Sequence, residues 1–368
     1  DRIVRFAKSE RVDLVVVGPE RPLVAGIADA LQKANISVFG PSKRAAELEG
    51  SKVAAKLFCK AYGIPTADFD IAETPEQAKV FVRRRGVPIV VKADGLMSGK
   101  GVKVVFTPEK AFAAIDEFSK LPMGRRLVIE ERLVGWECSY VVLTDGMYYV
   151  PLPPVEDYKE TEKGSGIMTG GMGCRTIPRN EFTPEMERRA QQIIIEPTLA
   201  RLRDEGRPFT GALYAGLMMV GSRPYVLEFN CRLGDPETQT ALPLVREGMN
   251  IAPYLHAAAN GSMRYRISCW KERHAVCVIL AAEGYPDPKK LRAGDVIYGM
   301  EEVAQMEGVY VFPAGMRYLD NGAAITTDGR VLSITAVATS PAQARTRAYA
   351  AVKKIYFRGM WYREDIGL

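Results

Sequence analysis

Apolar positions along the chain follow two rhythms that alternate from the first residues onward. "RVDLVVVGPE" carries a short buried strand, Leu14 to Val17, closed by a Gly-Pro turn. "PLVAGIADALQKAN" then repeats its apolar residues at helical spacing, and "ISVFGP" is a second short strand with the same ending. Strand, helix, strand in that order predicts a right-handed crossover and a piece of parallel sheet. One such unit is fewer strands than a complete nucleotide-type α/β domain needs. From Glu49 the texture changes. "EGSKVAAKLFCKAYGIP" predicts a helix capped by Ser51 and stopped by Gly63 and Pro65, and "TPEQAKVFVRRRG" predicts another. In "VPIVVKADGLMSGKGVKVVF" two Val- and Ile-rich strands flank a glycine loop, the pattern of a hairpin. The helix "PEKAFAAIDEFSK" and the strands "RRLVIEERL" and "ECSYVVLTDGMYYV" complete a compact α+β module. Beyond the polar loop "EDYKETEKGSGIMTGGMG" a long helix is predicted over Pro184 to Glu205, then two long strands, "GALYAGLMMV" and "PYVLEFN". The last hundred or so residues read as strands with one helix, "SPAQARTRAYAAVKKI", Ser340 capping it and Pro341 at its first position.

Composition narrows the class without naming a function. The 368 residues can bury a full core and are expected to hold two or three units. The chain is 47% hydrophobic and 26% charged, which excludes disorder as the default. The net charge of +6 is dispersed, a weak preference for anionic small ligands. Only "RRR" at 83–85 clusters, and it reads as a solvated helix end rather than a nucleic-acid surface. Cys59, Cys138, Cys174, Cys231, Cys269 and Cys277 show no zinc or disulfide spacing and are expected to be reduced and mostly buried. No apolar run approaches the roughly 20 residues of a membrane span. The chain opens mid-helix without methionine, so a fragment of a longer protein is expected, and a cytoplasmic enzyme is the expected class.

Four stretches carry candidate chemistry. The glycine loop Asp94–Gly101, "DGLMSGKG", can bring backbone N–H groups against phosphate, with Lys100 adding charge; a plain hairpin tip would look the same. It is not a Walker A loop, being one residue short before Gly99-Lys100 and having Gly101 where Ser or Thr would bind magnesium. Lys92 favours the phosphate reading, because a lysine closing the apolar strand "IVVK" is costly unless it meets an anion. Lys52, in the first turn of its helix, opposes the helix dipole, although an exposed lysine is the common case. Glu130, Glu131 and Glu137 surround a strand end, where they suit a ribose hydroxyl or a solvated turn equally. "VLEFNCRLGDPETQ" is more specific: Glu228 and Asn230 share a strand face, and one carboxylate with one amide oxygen is how magnesium is held when phosphate and water fill its other positions. Arg232 continues that face and can neutralise a developing phosphate charge.

In order, "VGPERPLVAGIADAL", "FGPSKRAAELEGSK", "VVKADGLMSGKGV", "VIEERLVG", "TGGMG", "YAGLM", "EFNCRLGDPETQ" and "GRVLSITAVATS" make the chain resemble the ATP-grasp superfamily, and within it the glycinamide ribonucleotide synthetase (phosphoribosylamine–glycine ligase) family. The resemblance is collinear over nearly the whole chain. It implies a multi-domain α/β and α+β fold: a partial Rossmann-like N-terminal segment over 1–48, an ATP-grasp core over 49–262 with a lid within roughly 108–180, and a mostly β C-terminal domain over 263–368. By the same resemblance Lys52 and Lys92 would hold the ATP phosphates under a loop of Gly95, Gly99, Lys100 and Gly101. Glu130, Glu131 and the backbone through Leu133 would meet adenine, and Glu137 the ribose. Glu228 and Asn230 would coordinate Mg²⁺ or Mn²⁺, with Arg232 and Asp235 as catalytic residues. Asp157, Lys159, Gly170, Gly171 and Gly173 would lie towards the substrates, glycine and 5-phosphoribosylamine. A monomer without nucleic-acid or membrane partners is the implied state. Three departures stand out. The family's opening strand and "GGREHA"-type loop are absent, "PNTGGMGAYSP" appears as "IMTGGMGCRTIP", and Trp136 replaces the first glutamate of "GEEAS". An ATP-grasp ligase for other substrates, or an ATP-binding fragment without turnover, shares the same nucleotide residues.

Overall fold

The computed structural model describes residues 2–97, 101–121, 126–246, 250–264 and 272–368. The chain divides into two compact units, each assembled from three segments: Asp1–Pro151, Thr183–Leu233 and Asn250–Ser268 in the first, and Leu152–Phe182, Gly234–Met249 and Cys269–Leu368 in the second.

The first unit begins with the expected crossover. Strands Val15–Val16 and Val38–Phe39 pair in parallel. The connecting helix is not continuous: it runs Glu20–Ala25 and Ile27–Lys33, because Gly26 adopts a left-handed conformation at φ 95° that ends one helix and starts the next. Helix Lys52–Tyr62 has the caps its sequence calls for, the Ser51 hydroxyl accepting from the Ala54 N–H and Gly63 left-handed at the far end. A four-stranded antiparallel sheet follows, in the order Phe69–Ala72, Leu127–Glu131, Ile89–Ala93, Val102–Val105. Helices Pro75–Arg85 and Pro108–Phe118, each with a threonine cap and proline at its first position, cover one face of it. Ile89, Val91, Ala93 and Ile129 point into that core. Period-2 alternation therefore sends Lys92 and Glu130 to the opposite face.

A second sheet of this unit joins Trp136–Thr144, Gly211–Val220 and Arg223–Asn230, all antiparallel. The predicted helix after Pro184 forms as Pro184–Ala190 and Glu196–Asp204 around π-helical turns over Gln191–Ile195. Pro197 supplies no backbone donor to the preceding turn, and the wider turns lie directly before it.

The second unit is built on five antiparallel strands in the order Val155–Asp157, Gly173–Thr176, His274–Ala281, Arg330–Ala338, Val309–Pro313. One face, with Val276, Val278, Leu280, Leu332, Ile334 and Ala336, packs against helix Pro341–Val352, whose Ser340 cap accepts from the Gln343 N–H. On the other face Cys277, Ile279 and Ala281 pack with Met172. No described helix is long and apolar enough to cross a membrane.

Candidate nucleotide site

Lys92 and Glu130 sit on neighbouring strands of the four-stranded sheet, Lys92 opposite Val128 and Glu130 opposite Val90. The Glu130 carboxylate is almost fully buried, 2.6 Å from the Lys92 ammonium and 2.5 Å from that of Lys56. Lys56 comes from helix Lys52–Tyr62, one turn beyond Lys52 and on the same side. Each lysine has one further acceptor: the Thr66 hydroxyl lies 2.6 Å from Lys56, and the Leu227 carbonyl 2.9 Å from Lys92. Burial works to raise the Glu130 carboxyl, but the two cations hold it below its ordinary range. The lysines do not share that balance. Burial pushes Lys56 down, because one carboxylate serves two ammonium groups, and burial beside Lys92 pushes Lys52 down as well. Two buried lysines thus share a single fully buried carboxylate, while Lys52, half-buried beside Lys92, feels the charges of Glu228, Asp94 and Glu49. Such a surplus of desolvated positive charge favours an anion.

The Leu227 carbonyl is available to Lys92 for a reason visible in the pairing. Strand Arg223–Asn230 runs beside Gly211–Val220 with Gly216 opposite Glu228 but Leu217 opposite Val226, so Leu227 is the extra residue of a bulge. Beyond the bulge Glu228 and Asn230 lie half-buried on one face, and Gly216 makes room, since a Cβ there would sit 3.3 Å from the Glu228 side chain. The Glu228 charge acts directly on Lys52. One carboxylate and one amide oxygen, two residues apart on a strand face, suit a hard cation that takes its remaining ligands from phosphate and water. Among the described residues no three His, Cys, Asp or Glu side chains gather to hold an ion without such help.

Asp94 ties the lysine helix to the glycine loop. Its Oδ1 accepts from the Ser51 hydroxyl at 2.9 Å, the Gly95 N–H at 3.0 Å and the Val53 N–H at 3.2 Å, while Oδ2 pairs with Arg126 at 2.6 Å. The Lys52 ammonium donates to the Gly95 carbonyl at 2.9 Å. Gly101 returns the loop to the sheet, its carbonyl accepting from the Ala93 N–H, and a Cβ at Gly101 would lie 2.6 Å from the Met97 side chain. Gly99 and Lys100 lie outside the described residues. Glu131 uses one carboxylate oxygen to accept from the Asp68 N–H at 3.0 Å. Leu133 is half-exposed on the segment joining the two sheets, and Glu137 is exposed opposite Met218.

Arg232 leaves the end of the bulged strand with its Nε donating to Glu20 at 2.8 Å and a terminal nitrogen 3.5 Å from Glu49. Glu49 is buried, and it also accepts from the Cys231 N–H at 2.7 Å and from the Cys231 thiol at 2.9 Å. Sequence reading missed Lys56, Asp94, Glu20 and Glu49. Lys56 had a signal in its four-residue spacing from Lys52.

The remaining expected residues belong to the second unit. Asp235 precedes a cis peptide to Pro236, and its carboxylate pairs with Arg330 at 2.7 Å. Arg330, also missed, donates in addition to the carbonyls of Asp235 at 3.1 Å and Gly170 at 2.8 Å. It binds the "TGGMG" loop and the "GDPE" turn together. The Gly170 N–H donates to the Tyr285 hydroxyl at 3.0 Å. Gly171 has φ 103°, and a Cβ there would fall 2.6 Å from Pro236 and 3.0 Å from Asp157; a Cβ at Gly173 would fall 2.4 Å from the Cys277 carbonyl. The Cys174 thiol lies 3.6 Å from Asp157, and burial pushes its pKa up. The Lys159 carbonyl accepts from both the N–H and the hydroxyl of Thr169. Cys59, Cys138, Cys174, Cys231 and Cys277 are all buried.

A glycine loop and Lys92 on one antiparallel sheet, two lysines from the helix Lys52–Tyr62, and a carboxylate–asparagine pair on a second sheet are the arrangement of the ATP-grasp class of protein. Comparison with known proteins refines this. Family models described as the N domain, the ATP-grasp (A) domain and the C domain of phosphoribosylglycinamide synthetase match residues 1–49, 50–238 and 275–368. The chain belongs to the phosphoribosylglycinamide synthetase family. It is 42% identical to the phosphoribosylamine–glycine ligase of Brucella melitensis biotype 1, covering 99% of this chain and 85% of that protein. It is 41% identical to that of Escherichia coli K12 at the same coverage. The crystal structure of phosphoribosylamine–glycine ligase from Thermotoga maritima superposes with a TM-score of 0.81 at 34% identity, over 95% of this chain and 85% of that one. The biotin carboxylase domain of Hydrogenobacter thermophilus 2-oxoglutarate carboxylase, a complex with MgADP, ADP and bicarbonate, shares the fold at a TM-score of 0.75 and 20% identity, over 98% of this chain and 78% of that one.

Proposed function

We infer that the chain is an ATP-dependent ligase that joins glycine to 5-phosphoribosylamine, giving glycinamide ribonucleotide, ADP and phosphate in purine biosynthesis. The observation that carries the chemistry is the surplus of buried lysine around Glu130, beside the strand bearing Glu228 and Asn230. Glycine's carboxylate is a poor electrophile. Its oxygen attacks the γ-phosphorus of ATP, ADP leaves, and the product is an acyl phosphate. The phosphoribosylamine nitrogen then attacks the acyl carbon, loses a proton, and inorganic phosphate departs.

Lys52 and Lys92 bind the nucleotide phosphates and neutralise charge that moves between them in the transfer. The loop from Gly95 to Gly101 closes over the phosphates, and a lid within roughly 108–180 excludes water that would hydrolyse the acyl phosphate. Glu130 and the backbone through Leu133 meet adenine and Glu137 the ribose, while the Glu130 carboxylate also fixes Lys56 and Lys92. Glu228 and Asn230 are the residues that would hold Mg²⁺, which would supply positive charge against the phosphates. Arg232 faces the phosphoryl group in transfer. In the second unit Asp157, Lys159, Gly170, Gly171, Gly173 and Asp235 are assigned to the amino-acid and phosphoribosylamine substrates.

The test is ADP release with Mg-ATP, glycine and freshly generated phosphoribosylamine, omitting one component at a time. ADP that requires all three is the expected result. Turnover with another carboxylate–amine pair and not with this one would overturn the substrate assignment. ATP binding with no turnover for any pair would overturn the ligase reading for this chain.

A further inference from the structure

We propose that Glu49 is a positioning residue for Arg232, clamping the turn from which its guanidinium projects. The inference rests on the reading of Arg232 as the group that meets the transferred phosphoryl, and extends it to a residue that touches no substrate.

Glu49 lies in the short helix Glu47–Gly50, three residues before Lys52. Its side chain is only 8% exposed. One oxygen, Oε2, accepts both the N–H of Cys231 at 2.7 Å and its thiol at 2.9 Å. The other oxygen lies 3.5 Å from a terminal nitrogen of Arg232, whose Nε is held at 2.8 Å by Glu20. The guanidinium is therefore gripped at two nitrogens by carboxylates from two different helices, and the N–H of the preceding residue, Cys231, is held by one of them.

Stability alone does not account for this arrangement. A buried carboxylate paired with arginine returns little net stability, and apolar residues of the same volume would serve the core as well. Burial pushes the Glu49 carboxyl above its ordinary range in spite of Arg232 and the two Cys231 bonds, so the fold holds this charge at a cost. The bonds of Glu49 instead fix one thing that matters for phosphoryl transfer, the direction in which the Arg232 guanidinium projects.

Four variants decide the matter: Glu49→Ala, Glu49→Gln, Arg232→Lys and the double variant Glu49→Ala with Arg232→Lys, each checked for folding by its urea midpoint. Glu49→Ala should lower kcat on the order of 10- to 100-fold while KM for ATP moves less than about threefold. Glu49→Gln keeps an oxygen for the Cys231 N–H and should recover part of that loss. The double variant should be hardly slower than Arg232→Lys alone, since a clamp has little to add once its target is replaced. Losses that multiply in the double variant, or a Glu49→Ala defect confined to KM, would overturn the positioning role. Should Glu49→Ala fail to fold, Glu49→Gln alone and combined with Arg232→Lys gives the same two comparisons. A wild-type kcat in Arg232→Lys and in Arg232→Ala would instead refute the underlying reading of Arg232, whatever Glu49 does.

Discussion

Replacing Glu130 by glutamine tests the charge arithmetic at the centre of the site. The substitution keeps the volume and removes the fully buried carboxylate that faces Lys56 and Lys92, 2.5 and 2.6 Å away. Removing one partner of such a buried group costs about 3–5 kcal/mol. An independent ceiling comes from the lysines themselves. A stranded lysine can escape by losing its proton, which at pH 7 costs at most about 5 kcal/mol, the distance from a reference pKa of about 10.4. At pH 9 the same escape costs about 2 kcal/mol. The two arguments agree at neutral pH and add a sign. Burial already holds Lys56 below its ordinary range and the variant removes the carboxylate that opposes this, so between that lowered value and about 10.4 the unfolded chain binds more protons, and the variant's stability must rise with pH. Urea unfolding followed by circular dichroism at pH 7 and pH 9 measures both effects. The midpoint of the variant should fall on the order of 1 M at pH 7 and recover part of that loss at pH 9. A loss under about 1 kcal/mol at pH 7, or one that does not shrink at pH 9, would refute the idea that Glu130 neutralises these lysines.

Other consequences are as direct. Lys52 is held below its ordinary range chiefly by burial, and in the proposed function its charged form binds phosphate, so kcat/KM for ATP should fall as pH rises through that lowered value. Lys52→Arg should move the alkaline limb upward; a limb left in place would show that another group titrates. Glu228→Gln should raise the magnesium concentration needed for half-maximal rate at least tenfold, and unchanged magnesium dependence would remove Glu228 from the ion. Arg330→Met leaves the carbonyls of Gly170 and Asp235 without their guanidinium and should raise KM for glycine or phosphoribosylamine, with KM for ATP unaffected. Gly171→Ala forces a Cβ to 2.6 Å from Pro236 at φ 103° and should destabilise the chain by more than about 2 kcal/mol, whereas Gly63→Ala, with open space around it, should cost about 1 kcal/mol.

What could be read from the sequence was what the backbone decides locally. Ser51, Thr74, Thr107, Thr183 and Ser340 each cap the helix that follows, and in four of those helices proline sits in the first turn. Strand alternation placed Glu228 and Asn230 on one face, as the pairing opposite Gly216 and Tyr214 has it. Gly26 was legible only as a helical position, because a glycine inside an apolar period gives no sign of which φ it will adopt. The bulge at Leu227 had no local signature either; it exists because two strands of unequal count must stay in register. Least legible were charge partners chosen by the fold. Glu49 meets Cys231 across 182 residues and Arg330 meets Asp235 across 95, and nothing near either residue marks it as other than a surface charge.

Lys92 shows how a correct local inference can still miss the structure around it. A lysine ending an apolar strand implies an anion, and the sequence suggested phosphate. The fold supplies an anion of its own first, Glu130, which would seem to remove the need for a ligand. It does not, because the same carboxylate also serves Lys56. One buried carboxylate orders the lysines without neutralising all of them. A site built that way keeps its cations fixed before the nucleotide arrives, so less of the binding energy is lost to arranging them.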